Sequence, residues 1–262
     1  MEIVTTRTAD DPRLPDGVMR VEYLSAVDGL RDWALVWPGP VRELWVVVVH
    51  GHGACGDQIF TRPDIRDLWL PQFRDVGAGI LSVNLRGNAW MSPRAACDLH
   101  ELVGWLRSEH HMEQALFCSG SMGGTSNLIY AVLHPKDVQG VVARGAATDI
   151  ARYCRWCREQ QKPILHEIAD AIVTAYGGPP DAVPQTYARH SSVQHAARLT
   201  MPVFLAHGQA DAVIPLSQAR ALAELLAGSP RFRYVEIPGG NHDAPLTETT
   251  GFEWVFNAMI AG

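Results

Sequence analysis

Phe117-Cys118-Ser119-Gly120-Ser121-Met122-Gly123-Gly124 decides how this chain is read. The stretch sits between a short strand-forming run, 114–118, and an apolar segment with helical spacing, 122–133, that stops before Pro135. Strand, tight turn and helix in immediate succession lift the turn residue above the sheet end, and its neighbours must be small where the backbone passes close. That residue is Ser121. Its hydroxyl would stand at the N-terminus of the following helix, where the dipole and unpaired amides favour negative charge. The pattern is SxSxG, with Ser119 where glycine is usual. On its own it also fits a glycine-rich turn without chemistry.

Two later stretches narrow the choice. Residues 205–215, Leu-Ala-His-Gly-Gln-Ala-Asp-Ala-Val-Ile-Pro, follow a strand-forming run and put the carboxylate of Asp211 in the loop after it. Pro238-Gly239-Gly240-Asn241-His242-Asp243 follows the last such run and puts His242 on a flexible loop. Singly, Asp211 is an ordinary turn residue and His242 an ordinary surface histidine. Together, in the chain order Ser, Asp, His, the three match a triad with Ser121 as nucleophile, Asp211 as orienting acid and His242 as general base. A fourth feature is His50-Gly51-His52-Gly53, at the end of the apolar run 45–49. Attack on an acyl carbon builds charge on an oxygen that backbone amides must meet. Met122 offers one amide and His52 the other, with Gly53 as the alternative. Only backbone N–H groups are needed, so the side chains of His50 and His52 are read as packing or loop hydrogen bonding. No third ligand nearby makes them a metal site.

Short β-branched runs alternate with amphipathic helical segments, which predicts a mostly parallel sheet with helices on both faces. Runs 19–26 and 32–37 read as an opening hairpin, and 45–50 as a strand covered on both faces. Runs 79–84, 114–118, 138–144, 203–207 and 233–237 complete eight strands. Helices are predicted at 64–76, where Pro71 suggests a kink or an early end, at 122–133, 217–226 and 248–260, and after Ser92-Pro93. That pair supplies an N-cap hydroxyl and a proline at the first helical position. Between 148 and 198 the pattern changes to helical segments broken by Gly177-Gly178-Pro179-Pro180 and Pro184. The economical reading is one domain, 1–262, with a helical insertion at 148–198.

Hydrophobic residues make up 47% and charged residues 19% of the 262, ample for a core. A net charge of −6 with scattered lysines and arginines argues against a nucleic-acid partner. No apolar stretch approaches the ~20 residues of a membrane span. Residues 1–20 carry Asp10, Asp11 and Asp16 and no apolar run, so neither a membrane anchor nor a secretory leader is expected. Cys55, Cys97, Cys118, Cys154 and Cys157 are an odd, sparse set that reads as reduced thiols in a cytoplasmic protein. Cys154 and Cys157 have CxxC spacing inside a helical segment and lack a second pair, which favours neither zinc nor redox chemistry. Arg152, Arg155 and Arg158 share a helical spacing and read as a solvated face.

With these residues in view, the chain resembles the α/β-hydrolase superfamily, in its prolyl-oligopeptidase-like and dienelactone-hydrolase-like branch. The likeness rests on His50-Gly51-His52-Gly53, on 119–124, and on the late stretch 191–211, and extends from about Val18 onward. It implies an α/β-hydrolase fold, a mostly parallel eight-stranded sheet flanked by helices, with a small helical lid at 148–198. It also implies a serine hydrolase that works through an acyl-enzyme without a cofactor or metal. A small-molecule ester is the first choice of substrate. The alternatives are an exo-acting peptidase or aminoacyl hydrolase, and a non-catalytic binding protein of the same fold. Peptidases of this branch usually carry an N-terminal propeller, and the segment before Ser121 is all needed for the sheet. Asn84-Leu85-Arg86-Gly87-Asn88 departs from the usual loop of relatives and, with Trp90 and Met91, is expected to shape the pocket. Trp90, Trp156 and Ile214 are the candidate pocket residues. Oligomeric state is not legible.

Overall fold

The structure, a computed structural model, describes residues 1–261. Its strands are β1 Glu2–Thr8, β2 Met19–Leu24, β3 Arg31–Trp37, β4 Val41–Val49, β5 Ala78–Val83, β6 Gln114–Gly120, β7 Gly140–Arg144, β8 Val203–Gly208 and β9 Phe232–Ile237. Its helices are α1 Gln58–Thr61, α2 Pro63–Asp75, α3 Pro93–His110, α4 Met122–Leu133, α5 Ile150–Glu159, α6 Pro163–Tyr176, α7 Pro184–Arg189, α8 Ser217–Leu226 and α9 Thr250–Ile260. The strands form one sheet in the order β1-β2-β3-β5-β4-β6-β7-β8-β9. β1, β2 and β3 are antiparallel, β3 meets β5 antiparallel, and β5 through β9 pair in parallel.

The sheet therefore has nine strands rather than eight. The additional one is β1, which is exposed along nearly its whole length. It carries no buried face, so its sequence lacks the apolar alternation that marks a half-buried strand. The parallel strands are covered on both sides, and alternate residues divide between two cores. Val47, Val49, Phe117, Val141 and Leu205 pack with α3, α4, α8 and the 150–189 helices. Val46, Val48, Leu116, Val142 and Phe204 pack with α2 and α9 on the other face. This is why β4 reads as an unbroken apolar run.

Two local expectations need correction. α2 continues four residues past Pro71, because Trp69, Leu70 and Phe73 bury the face that holds it to the sheet. Ser92 does occupy the N-cap of α3 with Pro93 following, but its hydroxyl makes no capping bond. Its carbonyl accepts the Ala96 N–H instead.

The chain reverses direction across the sheet at β4, whose neighbours β5 and β6 lie on opposite sides. In parallel sheets the crevice at the carboxyl ends of such strands is where ligands bind. The loops after β4, β5, β6, β8 and β9 all leave from that edge. Among the described residues no helix is long and apolar enough to cross a membrane.

Candidate active site

Ser121 follows β6 directly and caps α4, with φ 56° and ψ −125°. Positive φ at a non-glycine residue is strained backbone, and the surroundings hold it there. The Ser121 N–H donates to the Arg144 carbonyl at the end of β7, 2.7 Å away. A side chain at Gly120 would overlap Leu246, and one at Gly123 would overlap the Val49 carbonyl. Ser119 fits the first motif position because its hydroxyl is used: it accepts the Val49 N–H at 2.9 Å and ties the end of β4 to the turn.

His242, in the loop after β9, brings Nε2 to 2.8 Å from Ser121 Oγ and Nδ1 to 2.7 Å from Asp211 Oδ2. An ionised carboxylate only accepts, so Nδ1 carries the proton and Nε2 is left to accept from the serine hydroxyl. The other oxygen of Asp211 accepts the N–H groups of Val213 and Ile214 at 2.8 and 2.9 Å. Burial of the Asp211 side chain disfavours its charge. Hydrogen bonds from His207 and His242, with the Ile214 amide, outweigh that cost and hold the carboxyl well below the usual range. His207 was not singled out in the sequence. It is fully buried on β8, with Nε2 2.8 Å from the Ile214 carbonyl and 3.3 Å from Asp211 Oδ2. Both neighbours are acceptors, so its Nε2 bears the proton. Its position four residues before Asp211 was the available signal.

The loop after β4 presents its amides selectively. Gly51 N–H donates to Gln58 Oε1 and Gly53 N–H to Asn88 Oδ1, each at 2.8 Å. The amides of His52 and Met122 have no acceptor among the described residues. Of the two candidates in the glycine turn, His52 is thus the one left free, because Gln58 and Asn88 occupy its neighbours. Asn88 lies in the 84–88 stretch that the sequence marked as a departure, though not with this role; Gln58, at the start of α1, carried no distinguishing pattern.

Asn88 and Trp90 belong to a segment in which Leu85, Arg86, Gly87, Trp90 and Met91 all have positive φ. A network pays for this strain: Asp32 accepts from Asn84 Nδ2 and Arg86 N, and the Arg86 guanidinium meets Asp28 and Asp98. Trp90 is buried, donates its indole N–H to His52 Nδ1 at 3.2 Å, and packs on Tyr153. Trp156 also stacks on Tyr153 and is half-buried. Ile214 is fully buried in the Asp211 loop. Trp90 and Trp156 are thus linked through Tyr153, while Ile214 sits apart in the Asp211 loop.

Arg144 is also fully buried, and among the described residues no carboxylate forms an ion pair with it. Its guanidinium donates to the Glu248 carbonyl at 3.0 Å and to Cys118 Sγ at 3.1 Å, and lies over Trp69. Trp69 in turn donates to the Leu246 carbonyl. The segment after His242 is thereby fastened to β6 and β7 beneath the turn. Cys154 and Cys157 are buried free thiols, and burial pushes Cys157 up to about 12. Arg155 and Arg158 pair with Asp181 and Asp170 at the surface. His100, His134 and Asp137 gather at the opposite edge of the sheet, but Arg107 and Tyr130 already occupy that carboxylate.

The pattern of the prolyl oligopeptidase family matches residues 73–256. Esterase LipC of Mycobacterium tuberculosis is 34% identical over 70 residues, 26% of this chain and 17% of that protein, so the match spans about a sixth of the relative's length. The fluorophosphonate-binding serine hydrolase FphF of Staphylococcus aureus superposes with a TM-score of 0.69 at 10% identity, over 92% of this chain and 98% of the other. A puromycin-hydrolysing peptidase of M. tuberculosis superposes with a TM-score of 0.64 at 18% identity, over 97% of this chain but only 40% of its own. At these identities the two structures share the α/β-hydrolase fold with this chain.

Proposed function

The chain belongs to the prolyl oligopeptidase family and has the α/β-hydrolase fold; from that premise we propose that it is a serine hydrolase that cleaves carboxylic esters of small molecules through an acyl-enzyme. The observation that carries the reading is the series Ser121 Oγ, His242, Asp211, linked at 2.8 and 2.7 Å, beside two amides unpartnered among the described residues. In this reading His242 Nε2 takes the Ser121 proton as Oγ attacks the acyl carbon. The N–H groups of Met122 and His52 receive the oxyanion, each such donor being worth about 10²–10³ in rate. His242 then returns the proton to the leaving alcohol, and water, activated the same way, cleaves the acyl-enzyme. Asp211 holds the imidazole tautomer and stabilises the imidazolium.

The helices between β7 and β8 act as a lid. Tyr153 on α5 donates to the Val213 carbonyl in the Asp211 loop, and Tyr176 on α6 donates to the Trp90 carbonyl, which supports a cover bearing on both loops of the site. The esterase relative favours ester substrates. The likeness to the longer puromycin-hydrolysing enzyme keeps an aminoacyl-hydrolase reading as second. Turnover of p-nitrophenyl acetate and butyrate against aminoacyl p-nitroanilides separates them: the ester reading expects kcat/KM larger for the esters, and faster anilide cleavage overturns it.

A further inference from the structure

The His52 amide, without an acceptor among the described residues, belongs to a loop that is gripped from outside. Trp90 donates its indole N–H to His52 Nδ1 at 3.2 Å, and the two ring centres are 5.9 Å apart. Asn88, two residues before Trp90, accepts the Gly53 N–H at 2.8 Å. The segment after β5 thus holds two consecutive residues of the glycine turn. An indole can only donate, so Nδ1 accepts and the neutral imidazole keeps its proton on Nε2. Glu167 on α6 faces that nitrogen at 3.5 Å, and the His52 side chain is 6% exposed. Turning the ring would break the Trp90 bond.

Trp90 is itself held by the helices between β7 and β8. Its φ is 47°, a strained value for a bulky residue that persists only where the surroundings enforce it. Tyr176, the last residue of α6, donates its hydroxyl to the Trp90 carbonyl at 3.0 Å. Tyr153 on α5 packs against the indole with ring centres 5.4 Å apart. Both tyrosines are buried. The Tyr153 hydroxyl donates to the Val213 carbonyl at 3.1 Å, and the Val213 N–H is held by Asp211. Packing alone asks neither for an indole nitrogen aimed at a histidine nor for a left-handed backbone at a tryptophan.

We propose that Trp90 is a positioning residue for the oxyanion site, tying the seating of α5 and α6 to the aim of the His52 amide, a role that rests on the serine-hydrolase reading above. With the two helices seated, Tyr176 fixes the Trp90 carbonyl and Tyr153 its ring. The indole N–H then fixes the His52 imidazole, and through it the His52 backbone. An amide aimed in advance costs no reorganisation when charge develops on the substrate oxygen. Loosened, it still donates but off line, so the transition state loses more stabilisation than the bound ground state does.

Saturation kinetics with an alkyl fluorophosphonate test this, because the maximal rate of phosphonylation reads the transition state and the half-saturation concentration reads initial binding. Trp90→Phe keeps an aromatic ring and loses the N–H; it is expected to lower the maximal rate about tenfold or more, with half-saturation unchanged within about twofold. Tyr176→Phe removes only the hydroxyl on the Trp90 carbonyl and is expected to lower the maximal rate about threefold or more. In the double variant the loss should fall short of the product of the two, because Tyr176 acts through Trp90. Thermal midpoints measured alongside show that each variant is folded at the assay temperature. Losses confined to the midpoint or to half-saturation, or losses that multiply in the double variant, overturn the role. Should Trp90→Phe not fold, Tyr176→Phe decides alone, and an unchanged maximal rate overturns the role. Turnover of p-nitrophenyl butyrate by the same wild type keeps the two readings apart: phosphonylation without ester cleavage overturns the ester reading alone, and an unlabelled wild type overturns both.

Discussion

Replacing Asp211 with asparagine changes one atom, and its surroundings dictate the result. Asp211 Oδ1 accepts two backbone N–H groups, from Val213 and Ile214. The asparagine carbonyl must take that place, because the flipped amide would set its NH₂ against both donors. The NH₂ then replaces Oδ2, 2.7 Å from His242 Nδ1 and 3.3 Å from His207 Nε2. A donor there obliges Nδ1 to accept, which moves the imidazole proton to Nε2, facing Ser121 Oγ at 2.8 Å. The base can then no longer take the serine proton. The wrong tautomer costs a serine triad about 10⁴ in kcat, or about 5.5 kcal/mol of barrier. Pre-steady-state release of p-nitrophenol from p-nitrophenyl butyrate reads the acylation step directly, and circular dichroism checks that the isosteric variant is folded. A folded Asp211→Asn protein that acylates within about tenfold of the wild type would refute the reasoning.

Two further outcomes concern the scaffold. Gly123→Ala should abolish acylation or folding, because the new Cβ meets the Val49 carbonyl, backbone that has no room to move; a stable, fully active alanine variant contradicts this. His190 is buried, with Nδ1–H donating to the Thr186 carbonyl, and burial pushes its pKa down from 6.5 to about 4. The unfolded chain therefore takes up this proton first as the pH falls below 6.5, and the folded state loses stability progressively down to about pH 4. The loss is about 2 kcal/mol by pH 5. Urea midpoints at pH 7.5 and 5 should show a smaller drop for His190→Gln than for the wild type, and equal drops would count against it.

How much of this was legible in the sequence follows burial. β4 and β6 to β8 were readable because both faces are covered and their apolar runs are continuous. β1 was not, because it buries almost nothing. Ser121, Asp211 and His242 stand in loops whose chain order and glycine context carry meaning, and the structure brings those side chains together. The supporting residues left a fainter trace. Gln58 and Asn88 act by accepting neighbouring amides, His207 by approaching Asp211 from inside the sheet, and Arg144 by fastening the segment beyond His242. Asn88 and Arg144 act across 35 and 104 residues of chain, beyond any local pattern, whereas Gln58 and His207 lie seven and four residues from their partners without a motif to mark them. Pro71 shows the converse: a strong local signal to stop was overridden by the buried aromatic face of α2.

The most direct measurement of the central claim is covalent labelling with a fluorophosphonate, read by intact mass and peptide mapping. A hydroxyl aligned with a neutral imidazole should be phosphonylated once per chain, at Ser121, with the adduct absent from Ser121→Ala and formed far more slowly by His242→Ala. An unlabelled wild type, or an adduct that persists in Ser121→Ala, would contradict the account.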